Sequence, residues 1–112
     1  MTDKELLELA AKAAGIEIVD WYGAQYTARK IGDGLLFSFN PLTDDGDALR
    51  LAVELNLRIA IDFDLPNHDY VKVYRGEDAE AVEDRKAQDP YAATRRAIVR
   101  AAAEIGKGIY VV

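Results

Sequence analysis

The run Asn40-Pro41-Leu42-Thr43-Asp44-Asp45-Gly46-Asp47-Ala48-Leu49-Arg50-Leu51-Ala52-Val53-Glu54-Leu55-Asn56-Leu57-Arg58-Ile59-Ala60-Ile61-Asp62-Phe63 changes its pattern twice, and those changes decide the fold class. Pro41 biases Asn40 toward extended backbone, and the side-chain oxygens from Thr43 to Asp47 suit a helix cap. Between Ala48 and Leu57 only Arg50, Glu54 and Asn56 are polar. That pattern predicts a helix with a much wider apolar surface than the N-terminal helix, more buried than it and packed across a sheet. From Leu57 the period becomes two: Leu57, Ile59, Ile61 and Phe63 alternate with Arg58, Ala60 and Asp62, the mark of a half-buried strand.

On the C-terminal side, the turn-rich segment Asp64-Leu65-Pro66-Asn67-His68-Asp69 leads to Val71 and Val73, which alternate with Tyr70, Lys72 and Tyr74. This second arm makes an antiparallel pair. Gly76 to Gln88 carries seven charged residues and a single large apolar one, Val82, and reads as a solvated loop. Asp89-Pro90 then reads as N-cap and first turn of a long final helix, with Ile98, Ala101, Ala102 and Ile105 on one face until Gly106 and Gly108 stop it. Ile109 to Val112 adds a short edge strand or frays.

On the N-terminal side, Thr2 and Glu5 fit a capping box, and Leu6, Leu9, Ala10 and Ala13 recur at helical spacing until Gly15, placing a helix over Asp3 to Ala14. Tyr26 to Ile31 and Leu35 to Phe39 flank Gly32-Asp33-Gly34 as a hairpin, with Leu35, Phe37 and Phe39 on one face. The order helix, strands, helix, strands, helix lacks regular parallel crossovers. It predicts an α+β domain: a mostly antiparallel sheet of short strands packed with about three helices.

The chain has 112 residues, 50% hydrophobic and 30% charged, which fits a single domain over residues 1–112. No apolar run approaches the roughly 18 residues needed to cross a bilayer, and Met1 to Glu8 lacks a basic and apolar leader, so a cytoplasmic location is expected. Zero cysteines exclude disulfides, thiolate chemistry and cysteine zinc sites. Fourteen Lys and Arg against twenty Asp and Glu leave a net charge of -6, a field that repels phosphate backbones and weighs against nucleic acid.

Two blocks carry a family resemblance. Asn40 to Val53 and Asp89 to Gly106 closely resemble the phage ABA sandwich domain family, small proteins of bacteriophages and prophages, and Leu6 to Gly15 is similar to its N-terminal segment. The resemblance implies an alpha-beta-alpha sandwich-like layering in a phage-derived protein of a bacterial host cell, and it implies no activity. Arg58, Asp62, Lys72 and Tyr74 indicate that part of one sheet face meets water, which sits awkwardly with a sheet covered on both sides.

Chemistry-bearing candidates are few. Asp44, Asp45 and Asp47 are oxygen donors in a turn, the raw material of a hard-cation site, but without the EF-hand spacing; helix capping accounts for them, and Asn40 ties the turn. They are the basis of an alternative reading as a small metal-dependent enzyme, with His68, the one histidine, as its acid or base. One His builds no typical zinc site, and neither metal nor cofactor is expected. Trp21, Tyr22, Tyr26, Tyr70 and Tyr74 offer aromatic area for partner contact or for packing. Arg95, Arg96 and Arg100 form a stripe that faces water and pairs with Glu77 to Glu83. No phosphate-cradling or nucleophile-elbow motif is present. The reading is therefore a non-catalytic accessory protein that engages an unknown protein partner or itself.

Overall fold

The computed structural model describes residues 1–22, 25–32, 34–62, 69–85 and 89–109. Three helices and six strands follow in the order α1 (Asp3–Ala13), β1 (Ile16–Tyr22), β2 (Gln25–Lys30), β3 (Leu36–Ser38), α2 (Asp45–Glu54), β4 (Arg58–Asp62), β5 (Tyr70–Arg75), β6 (Ala79–Asp84) and α3 (Pro90–Lys107). The α+β class with antiparallel strands is as the sequence predicts. The strands divide into two sheets of three, β1-β2-β3 and β4-β5-β6. Helix α1 packs on α3; α1 carries the first sheet through β1, and α3 carries the second through β5 and β6.

Local chemistry sets the helix ends. The Thr2 hydroxyl accepts from the Glu5 amide (3.1 Å) and donates to the Glu5 carboxylate (3.2 Å), so α1 starts where the capping box places it. Gly15 adopts φ 69°, and its carbonyl accepts from the Ile31 amide, which ties the end of the helix to the end of β2. Asp89 caps α3 by accepting from the Tyr91 and Ala92 amides. Helix α2 stops at Glu54 rather than Leu57 because Asn56 takes the left-handed conformation (φ 55°). The Asn56 amide then reaches the Val53 carbonyl, and the Leu57 amide reaches that of Ala52. This pair of hydrogen bonds closes the helix and turns the chain into β4.

The main core gathers Leu6, Leu7 and Ala10 of α1, Leu51 and Ala52 of α2, Val71 and Val73 of β5, and the alanines of α3. A smaller cluster of Ala11, Ala28 and Phe39 joins α1 to the first sheet. Helix α3 is the axis: Ala93, Ala97, Ile98, Val99, Ala101, Ala102, Ala103 and Gly106 are all buried. Gly106 does not stop the helix, as its sequence position predicts. A Cβ there would lie 2.1 Å from the Leu9 carbonyl oxygen, so this glycine permits the close approach of α1 and α3.

Gly76 to Gln88 is corrected more sharply. Residues 79–84 form β6, paired along its length with β5, while 86–88 lie outside the described residues. Ala79 and Ala81 turn inward to α3, and Val82 faces out at 44% exposure. Counting large apolar residues picks the outward side chain, whereas the burial comes from two alanines small enough to sit under a helix. The phase of the second sheet is otherwise as expected. Register rows Arg58–Tyr74–Glu80 and Ala60–Lys72–Val82 form the outer face, and Ile59–Val73–Ala81 the inner one.

The arginines of α3 also differ from a plain solvated stripe. Arg96 reaches Asp3 of α1 (3.1 Å) and Glu83 of β6 (3.6 Å), and Arg100 meets Glu83 and donates to the Val82 carbonyl (2.9 Å). Glu83 belongs to the acidic run the sequence offers these arginines, and it fastens β6 to α3.

Candidate functional site

Helix α2 is the least covered of the three. Ala48, Leu51 and Ala52 are buried against α3, but Leu49 is 60% and Val53 69% exposed. The expectation that Ala48 to Leu57 is more buried than the first helix is therefore overturned. Ala48, Leu49, Leu51, Ala52 and Val53 spread the apolar surface of α2 over more of the helix than one neighbour covers, and among the described residues α2 packs chiefly on α3 rather than across a sheet.

Two grooves flank this outward face. One, of about 590 Å³, runs between α2 and the first sheet, with Phe37 on one wall and Leu49 and Val53 on the other. The second, of about 620 Å³, lies on the other side of Leu49, under Ile59 and Ile61 of β4 and beside Tyr91 and Ile98 of α3. Leu49 lines both. The helices cover β5 fully, with Val71 and Val73 at 0%, but leave β4 overhanging, with Ile59 at 38% and Ile61 at 50%. Phe37 on β3, an edge strand with no buried residue, and Leu35 just before it continue the exposed apolar surface. Exposed apolar residues scattered singly need no explanation, whereas a connected apolar face of this extent is what makes this surface the candidate site.

The start of α2 is rigid. The Asp44 carboxylate accepts from the Asp47 amide (2.8 Å), and Asp47 accepts from the Asn40 amide (2.9 Å) and binds Arg50 (2.7 Å). Asp45 binds Arg95 (2.6 Å), whose Nε donates to the Leu42 carbonyl (2.9 Å). The Asn40 side chain accepts from the Leu42 amide (3.2 Å), closing the turn after Pro41. Each acid of the turn thus serves the chain's own N–H groups and arginines. Among the described residues no cluster of His, Asp and Glu suits a metal ion, and His68 lies outside them. An Asp44→Ala variant is expected to lose about 1 kcal/mol, and Asp44→Asn only a few tenths. Both losses should be the same in urea titrations with and without Ca²⁺ or Mg²⁺; a loss that appears only with the cation would reinstate the metal reading.

The aromatic candidates fall on different sheets. Trp21 and Tyr26, on β1 and β2, meet edge to face at 4.5 Å, half-buried against the main core, with the Lys4 ammonium 5.2 Å from the indole. Tyr22 closes β1 opposite Gln25. Tyr70 and Tyr74 alternate with buried Val71 and Val73 on β5, and Lys72 lies 5.1 Å from the Tyr74 ring. The residues the sequence reading passes over are Leu49, Val53, Ile59, Ile61 and Tyr91. In α2 the signal is the run Ala48, Leu49, Leu51, Ala52 and Val53, interrupted by Arg50 alone.

No helix among the described residues is long and apolar enough to cross a membrane. Comparison with protein-family models, with curated proteins and with solved structures finds no match to this chain.

Proposed function

We propose that this chain is a non-catalytic interaction protein, a phage or prophage accessory working in the cytoplasm of a bacterial host, with the outward face of α2 and its two grooves as the contact surface. The carrying observation is the exposure of Leu49 and Val53 on a helix held rigid at both ends, between two apolar grooves. A backbone already fixed as a capped helix has little further entropy to lose when a partner covers it, which is what a docking surface needs. The phage origin is supported by the two resembling blocks, one of which, Asn40 to Val53, contains most of the helix that forms this face.

A dye titration at the lowest workable protein concentration tests the surface. Nile red is suitable because it is neutral and the chain carries -6. Saturable fluorescence that Val53→Glu abolishes, with amide shifts centred on Phe37, Leu49 and Val53, is the expected result. Absence of saturable binding, or binding indifferent to Val53→Glu, overturns the reading.

A further inference from the structure

We infer that the partner seated on the groove between α2 and β3 is a second copy of this chain, related by a two-fold axis. This rests on the interaction reading above and specifies its occupant. The shape comes first. Leu49 and Val53 form a ridge beside a groove, and a ridge next to a groove is self-complementary: under a two-fold operation each ridge enters the other copy's groove.

The area fits as well. Leu35 is 74%, Phe37 37%, Leu49 60% and Val53 69% exposed. These fractions amount to roughly 400 Å² of apolar side chain per copy, and a stable interface takes about 800 Å² per partner, a little over half of it apolar.

Charge selects the occupant. In a chain of net -6, another copy is repelled by most of the surface, yet this groove carries Lys30 and Arg50 against Asp47 and Glu54 and is neutral. Asp47 and Arg50 bind each other within the chain. Lys30 stands on the sheet wall and Glu54 on the helix wall, and neither is in an ion pair among the described residues. A two-fold brings Lys30 of each copy toward Glu54 of the other, giving two reciprocal pairs at the rim that fix the register.

Sedimentation equilibrium over about a hundredfold range of concentration reads the outcome. The wild type is expected to move from 12.4 kDa to twice that mass, with Nile red fluorescence per chain falling as the dimer forms. Val53→Glu should remain monomeric at every concentration, with a melting temperature that matches the wild type's at low concentration and does not rise with concentration as the wild type's does. Val82→Glu, on the outer face of the second sheet, should dimerise normally. Lys30→Glu and Glu54→Lys should each weaken association by about threefold to tenfold, and the double variant should restore it. A wild type that stays monomeric while binding the dye at α2 overturns the self-pairing and leaves the interaction surface standing. Dimerisation indifferent to Val53→Glu overturns the self-pairing too, and failure of both association and dye binding removes both.

Discussion

Gly106→Ala is expected to cost this protein about 2–4 kcal/mol, even though alanine is the better helix former by roughly 1 kcal/mol. The added methyl would lie 2.1 Å from the Leu9 carbonyl oxygen and 2.8 Å from its carbon, so a backbone rather than a pliable side chain must yield. Helices α1 and α3 must separate, and the alanines along the contact lose their neighbours together. Against a total stability of about 5–15 kcal/mol, such a loss is a large fraction and should lower the melting temperature by more than about 10 °C. Urea unfolding followed by helical circular dichroism measures it. A variant equal to or more stable than wild type would mean that the two helices do not meet at this point.

The second large effect is a comparison. Leu7→Ala should cost about 2–5 kcal/mol, because Leu7 is 1% exposed and its removal leaves a hole that α1 and α3 cannot close. Leu49→Ala should stay within about 0.5 kcal/mol, because Leu49 is 60% exposed. The composition of α2 predicts the opposite ranking. Matched unfolding curves decide it: a larger loss at Leu49 than at Leu7 would put α2 at the centre of the molecule and take away its role as an open surface.

Much of the architecture was legible from patterns confined to a few neighbouring residues. Thr2 and Glu5, Asp89 and Pro90, and the alternation from Arg58 to Asp62 and from Tyr70 to Tyr74 each satisfy their own backbone or mark one face, and each element lies where they place it. What misled were features whose meaning depends on distant partners. Gly106 looks like a stop signal until Leu9, far away in sequence, is beside it. The strand at 79–84 is hidden because α3 buries alanines there and not Val82. Helix α2 reads as central because apolar content shows what a helix is able to bury, not what is present to cover it. The contact face followed the same logic: its residues are ordinary core types, and only the layout of β3, β4 and α3 around them shows that they are left open.

Where Gly106 meets Leu9, the seam between α1 and α3 brings backbone against backbone and allows hardly any change of size. Helix α2 is joined to α3 through Ala48, Leu51 and Ala52, while Leu49 and Val53 point away from that attachment. Residues of the proposed contact face and residues that keep the molecule folded therefore occupy separate ledges of the same scaffold. A lineage under pressure to follow a changing counterpart could rewrite the outer ledge repeatedly without disturbing the inner one.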